Sequence, residues 1–164
     1  MRIIVLCFAM VLGLAACSGG APERGAAITS ASTADAAAAA RIISTYRAAN
    51  GLPPVTVNSK LNEAALAQAR ENAAAGRLDH GNFSARMYKF DIRGASAENL
   101  TAGSDDVAAA ITRWKNSPGH NSNLLMREAR QIGLARVTTT SGYRTYWALV
   151  LASDQSGLTE PGFL

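Results

Sequence analysis

Cysteine, histidine and aromatic residues are all scarce in this chain, and each shortage removes a class of protein from consideration. The 164 residues include two cysteines, Cys7 and Cys17, both close to the N-terminus. A domain formed from the remainder has no thiol, so packing alone must hold it, without an internal disulfide, even in an oxidising compartment. Basic residues are only slightly in excess, 16 Lys and Arg against 12 Asp and Glu, for a formal charge of +4. They are scattered, with neither a Lys/Arg run nor an aromatic–basic platform, which argues against a nucleic-acid partner. The histidines are His80 and His120 alone, and the His-Glu-x-x-His helix of metalloproteases is absent. Aromatics make up 6% of the chain and fall mostly between Tyr46 and Trp147, which marks the expected core. One domain with a real core fits this length; two would be cramped.

Apolar residues, many of them alanine, are plentiful at 48%. Arg2 precedes the apolar run Ile3 to Leu12, which leads into Gly13-Leu14-Ala15-Ala16-Cys17. The run is too brief for a permanent span and reads as an export signal. Leu14-Ala15-Ala16-Cys17 resembles the bacterial lipobox, in which the cysteine becomes the lipidated first residue. The alternative is an ordinary signal peptide cut nearby, with Cys17 a spare thiol. If Cys17 is acylated, Ser18-Gly19-Gly20 forms a stalk and the acyl chains hold a bilayer, each buried CH₂ contributing about 0.8 kcal/mol. The expected organisation is a lipoprotein signal peptide over 1–16, a lipidated cysteine and flexible linker over 17–35, a folded domain over 36–153 and a loose tail over 154–164. Loss of residues 1–16 removes Arg2 from the 16 basic residues and lowers the net charge from +4 to +3.

Within the domain, Thr33 or Asp35 caps a first helix running to Asn50-Gly51, with Ile42, Ile43, Tyr46 and Ala49 as its buried stripe. The alanines over 36–40 leave its start soft, and the linker is alternatively a frayed extension of it. Asn58 caps a second helix, Ser59 to Ala75, closed by Gly76, whose inward side is Leu61, Ala64, Ala65, Leu66, Ala69 and Ala73. Phe83, Met87 and Phe90 suit a short helix from Asn82 or Ser84. Gly94 opens a short strand or extended loop containing Glu98-Asn99. Ser104-Asp105-Asp106 supplies a cap and two acids for a helix whose Val107, Ala110, Ile111 and Trp114 recur at i, i+3, i+4 and i+7. Ser117-Pro118 starts a brief helix over His120 to Leu125. Ile132–Val137 and Tyr143–Leu151 flank a turn, and Trp147–Leu151 is apolar enough for a central strand covered on both faces. Helices preceding a mainly antiparallel sheet define an α+β fold.

Tyr46-Arg47-Ala48-Ala49-Asn50-Gly51-Leu52, Glu98-Asn99-Leu100, Ser117-Pro118-Gly119-His120, Ile132-Gly133-Leu134-Ala135 and Tyr146-Trp147, in this order, resemble the CAP superfamily. That superfamily comprises cysteine-rich secretory proteins, antigen 5 and plant pathogenesis-related proteins, here in bacterial SCP-like form. The resemblance covers about Ile42 to Ala152. It implies an α-β-α sandwich with a mainly antiparallel central sheet, and a cleft holding two histidines and two glutamates. His80 resembles the first histidine, Glu98 the glutamate of the Glu-Asn-Leu segment and His120 the second histidine. In many relatives the other glutamate lies three residues after the helix tryptophan; here that place is Ser117. Asn99 and Ser117 are expected at the cleft, Asn99 as an amide bonding backbone and Ser117 as a helix cap.

Two neutral imidazoles and a carboxylate are a sufficient ligand set for a divalent ion with one position left to water. Zinc suits His80, Glu98 and His120 best, with nickel or copper competing; calcium and magnesium want more oxygen donors. The same residues also suit a structural cluster in which histidine and glutamate hydrogen-bond one another. The expected function is an exported, lipid-anchored binding module of the bacterial envelope, offering its cleft to a small molecule, lipid or envelope polymer. The alternatives are a metal-dependent hydrolase of peptide or envelope substrates, and a structural or interaction protein. The residue after Cys17 is serine, lacking an acidic retention signal, so an outer membrane is the preferred site; a chain without the lipid would be secreted.

Overall fold

The computed structural model describes residues 26–155. The expected signal segment, the lipobox with Cys17, and the tail from 156 onward lie outside the described residues. Among those described, no helix is long and apolar enough to cross a membrane.

A five-stranded sheet forms the middle layer. Its strands are β1 (Ile28–Ser32), β2 (Thr56–Val57), β3 (Ser96–Ala102), β4 (Gln131–Thr139) and β5 (Thr145–Ala152). The main order is β1-β4-β5-β3, all antiparallel, and β2 adds a short parallel pairing to the start of β4. The helices are α1 (Ala36–Ala48), α2 (Ser59–Ala75), α3 (Phe83–Lys89), α4 (Val107–Lys115) and α5 (Pro118–Leu124).

Period-two alternation along β4 and β5 sorts side chains into two cores. Ile132, Leu134, Trp147, Leu149 and Leu151 face α1, α4 and α5, where they meet Ile43, Ile111, Trp114 and Leu124. Ala135, Val137, Tyr146, Ala148 and Val150 face the other way, onto Leu61, Ala64, Ala65, Ala69 and Ala73 of α2 and Met87 of α3. The result is an α-β-α sandwich on a mainly antiparallel sheet. Both indoles find acceptors: Trp114 Nε1 donates to the Leu100 carbonyl at 3.1 Å, and Trp147 Nε1 to Ser104 at 2.9 Å, as buried tryptophans require.

Helix α2 is capped as expected, Asn58 accepting from the Leu61 N–H and Gly76 closing the helix at φ 67°. Asp106, rather than Ser104, caps α4, its carboxylate accepting from the Ala109 N–H at 2.8 Å. The stripe of α1 is displaced. Its buried residues are Ala36, Ala39, Ala40, Ile43 and Arg47, while Ile42 and Tyr46 are half-buried and Ala49 is exposed. Leu66 is likewise half-buried, and the inward face of α2 takes Gln68 and Asn72.

Two segments read as loose are structured. Residues 28–32, expected within the linker, form the edge strand β1 against β4. Its sequence, Ile-Thr-Ser-Ala-Ser, carries little apolar pattern and its first residues are exposed, so pairing with β4 supplies the order. Beyond Ser153, the Gln155 side chain accepts from the Arg93 N–H at 2.8 Å and donates to the Arg93 carbonyl at 2.9 Å. The start of the expected tail is therefore fastened to the segment leading into β3.

Candidate functional site

Strand β3 is the free edge of the sheet next to β5, and its alternation turns Glu98 and Asn99 to opposite faces. Glu98 points toward α3 and the 77–81 loop, and its side chain is 2% exposed. One carboxylate oxygen lies 2.8 Å from His80 Nδ1, and the other accepts from Arg86 Nη2 at 2.5 Å. A carboxylate only accepts, so a neutral His80 carries its proton on Nδ1 and leaves Nε2 as the free lone pair. The His80 side chain is 56% exposed. Its loop is braced by Asp79, which accepts from the Gly81 N–H at 2.9 Å and pairs with Arg77. The Gly81 N–H first, and Arg77 second, hold the Asp79 carboxyl below its ordinary range.

Asn99 points to the other face and ties α5 to the strand. Its Nδ2 donates to the His120 carbonyl at 3.0 Å, and its Oδ1 accepts from Asn123 Nδ2 at 2.9 Å. Asn123 also donates to the Glu98 carbonyl at 3.2 Å, and Asn121 accepts from the Tyr46 hydroxyl at 2.8 Å. These amides fix His120, whose ring has no hydrogen-bond partner among the described residues. His120 lines a hollow of about 250 Å³ with Leu78, Thr101, Arg113, Trp114 and Ser117. Ser117 stands at the N-cap of α5 but its hydroxyl makes no capping bond, contrary to the expected cap. Trp114 is both fully buried core and one wall of the hollow.

Burial, and secondly the charge of His80, hold the His120 imidazole below its ordinary pKa. The folded state thus favours the neutral ring, while the unfolded chain takes up its proton as the pH falls through about 6.5. Stability should decline as the pH drops below about 6.5 and level off once the folded ring is protonated too. Proton NMR should place the His120 midpoint below 6.5 and move it upward in His80→Gln, where the repulsion is gone. His120→Gln should flatten this part of the profile of urea midpoint against pH; a midpoint at or above the ordinary value would contradict the assignment.

His80 and Glu98 therefore touch, and His120 is close enough to His80 to sense its charge. Among the described residues no three His, Cys, Asp or Glu side chains come together closely enough to hold a metal ion. Both Glu98 oxygens already have partners, so in this arrangement the residues form a hydrogen-bonded His–carboxylate–Arg cluster beside a second histidine. Arg86 is the member that sequence reading missed. It lies three residues after Phe83 and four before Phe90, on the apolar face of α3, and that placement is the signal that it is buried and paired.

The α-β-α sandwich on a mainly antiparallel sheet is the fold that the sequence resemblance to cysteine-rich secretory proteins implies. The chain belongs to this family, CAP, whose model matches residues 40–151. An outer surface protein of Borrelia burgdorferi has a similar structure, with TM-score 0.68 and 19% identity over 79% of this chain and 99% of that one. An extracellular protein of Bacillus anthracis containing an SCP domain gives 0.63 and 19%, over 71% of this chain and 39% of its own. A cysteine-rich secretory protein of Staphylococcus aureus gives 0.58 and 23%, over 71% and 38%. The chain thus spans well under half the length of the latter two. Among curated proteins none matches this sequence.

Proposed function

We propose that this protein is an exported binding module of the bacterial cell envelope, anchored through an acylated Cys17, whose hollow beside His120 takes a small ligand bearing an anionic group. The outer membrane is its preferred location. Export rests on the N-terminal signal pattern, the match to a secretory family and the fold shared with an outer surface protein and an extracellular protein. The observation that carries the ligand class is the hollow itself. Arg113 lines it and has no ion-pair partner among the described residues, while Leu78 and Trp114 supply apolar wall. An apolar body with one carboxylate or phosphate, free or as the end group of a lipid or envelope polymer, matches that lining.

Titration of the full chain with octanoate tests this. Saturable binding, weakened about tenfold in Arg113→Ala, is expected; octanol binding as tightly as octanoate, or an unaffected variant, overturns it. For the anchor, Cys17→Ser should release the protein from the membrane fraction, and unchanged fractionation rejects lipidation.

Zinc held by His80, Glu98 and His120 is the second reading, favoured by the neutral His120 ring and the free Nε2 of His80. It requires His80, Glu98 and His120 to draw closer than they stand here, and Glu98 to give up its bond to Arg86 or to His80. Calorimetric titration with zinc should then show micromolar binding that is lost in both His80→Ala and His120→Ala. Binding unchanged in both variants, or absent from the parent protein, rejects that ligand set.

A further inference from the structure

The chain arriving from the N-terminus joins the fold at the tip of the β4–β5 hairpin. The Ala27 N–H donates to the Thr140 hydroxyl at 3.1 Å, and the Ala27 carbonyl accepts from the Thr140 N–H at 2.9 Å. Five large apolar side chains are exposed among the described residues, and two of them, Ile28 and Tyr143, stand at this corner, 40% and 55% exposed. Ile28 pairs there with Thr139. Arg144, next to Tyr143, is exposed and has no ion-pair partner among the described residues. The tip itself is well fastened. The Thr139 N–H donates to the Arg144 carbonyl and the Thr145 N–H to the Tyr143 carbonyl, each at 2.8 Å, and the Tyr143 ring lies edge-on to Tyr146 at 5.9 Å. Arg144 is held in the left-handed region at φ 65°, which costs a residue with a side chain about 1–2 kcal/mol. Tyr143 and Arg144 are thus presented on a fixed, strained turn.

A tyrosine with its polar tip, an aliphatic side chain and an unpaired arginine match the headgroup layer of a bilayer, where such rings sit and a guanidinium meets lipid phosphate. The tether favours this end of the molecule. A chain spans at most about 3.6 Å per residue, so the ten steps from Cys17 to Ala27 keep the corner within about 36 Å of an acylated cysteine. Strand β5, eight residues long, sets the other end of the sheet about 25 Å further off at about 3.3 Å per residue. A short tether also raises the local concentration of a surface to about the millimolar range, enough to populate a contact too weak to hold by itself. Asp105 and Asp106 follow Gly103, whose N–H bonds the Thr145 carbonyl at this same end; Asp106 is committed to capping α4. With Asp105 near in sequence, Arg144 gains from direct contact with a phosphate rather than from a general anionic field.

We propose that the β4–β5 hairpin tip rests on the phospholipid surface, with Tyr143 and Ile28 at headgroup depth and Arg144 on lipid phosphate. This rests on the anchoring of Cys17 proposed above. The test reconstitutes the acylated protein in vesicles of phosphatidylethanolamine and phosphatidylglycerol that carry bromine high on the acyl chains. Trp114 and Trp147 are fully buried, so a tryptophan added at the surface reports its own surroundings against the parent protein as baseline. In Tyr143→Trp about half of the added emission should be quenched, and Arg144→Glu in that background should at least halve the quenching. Tyr88→Trp is the control. Tyr88 is more exposed than Tyr143, and Arg93, which stacks on it, is hydrogen-bonded to Gln155 beyond the far end of β5. That position should lose less than about a tenth of its emission. In a protein that sediments with the vesicles, equal quenching at the two positions, none at Tyr143→Trp, or quenching indifferent to Arg144→Glu overturns the proposal and leaves the anchor standing. A protein that stays in the supernatant refutes the anchor, and this contact with it.

Discussion

Gly133→Ala should destabilise the protein by about 3–4 kcal/mol, a large effect for one methyl group. Strand β4 is paired on its outer edge by β2 at Gln131 and Ile132 and by β1 from Arg136 onward, leaving a gap around Gly133. Helix α2 fills it. Asn58 N–H donates to the Ile132 carbonyl at 2.9 Å, and Asn62 Oδ1 accepts from the Leu134 N–H at 2.9 Å. The start of the helix is therefore latched to the strand on both sides of the glycine. A Cβ at 133 would run into the Leu61 carbonyl and the Asn62 nitrogen. These are backbone atoms that no rotamer can move, so the helix must lift and both latches lengthen. Urea denaturation checks this, with Gly119→Ala in α5 as the control, since nothing lies within 4 Å of the added methyl there. The control should be no less stable than the parent, gaining up to about 1 kcal/mol from alanine's better helix propensity. A Gly133→Ala protein as stable as its parent would mean that the helix does not sit this close.

Arg47→Met should cost on the order of 5 kcal/mol, comparable with the whole stability of many domains. The Arg47 side chain is fully buried in α1 and has no carboxylate partner among the described residues; carbonyls surround it instead. Nε donates to Pro53 at 2.9 Å, Nη1 to Leu124 and Met126 at 2.9 Å each, and Nη2 to Ala129 at 3.0 Å. One guanidinium thus ties together the turn after α1, the end of α5 and the approach to β4. Methionine matches the length but takes the donor from the Pro53 and Leu124 carbonyls, the expensive half of losing a buried hydrogen bond, while Met126 keeps the Ala129 N–H and Ala129 keeps Arg130 Nη1. Arg47→Lys keeps the charge but not the planar fork, so it should recover only part of the loss. Circular dichroism melts of both variants check this. The expected ranking is parent, lysine, then methionine; a methionine variant melting within a few degrees of the parent would refute the clamp.

How far the sequence spoke depended on whether a residue's role was local. The stripe of α4, Val107 to Trp114, was legible because 3.6-residue periodicity is carried in the sequence itself. So was the cap at Asn58, which serves its own first turn, while the start of α3 stood open between Asn82 and Ser84 and the structure places the cap at Asn82. Strand β1 was not, because an exposed edge needs no apolar alternation and is ordered by its partner. Arg47 was visible within a quoted segment, yet a cation ordinarily reads as solvated; its four acceptors come from 53 to 129 along the chain. Glycine at 133 gave no turn signal, since its task is to let a helix approach. At the candidate site, the pairing of His80 with Glu98 followed from family resemblance and not from spacing. Arg86 required a view of α3 as buried on the face shared by Phe83 and Phe90. Gln68 and Asn72 gave no sign, because two amides four apart on a helix ordinarily face water.

The pairing of β1 also sets where tension would enter the molecule. Ala27 and Thr140 exchange hydrogen bonds at the tip of the β4–β5 hairpin, so anything gripping the preceding chain pulls first at that corner. Force along the strands would shear the rungs of β1 together, whereas a sideways tug would unzip them singly, starting at Ile28. Since α1 begins only four residues after Ser32, the first mechanical casualty would be the outermost strand, with the edge at β3 that bears Glu98 on the far side of the sheet and last to feel the strain.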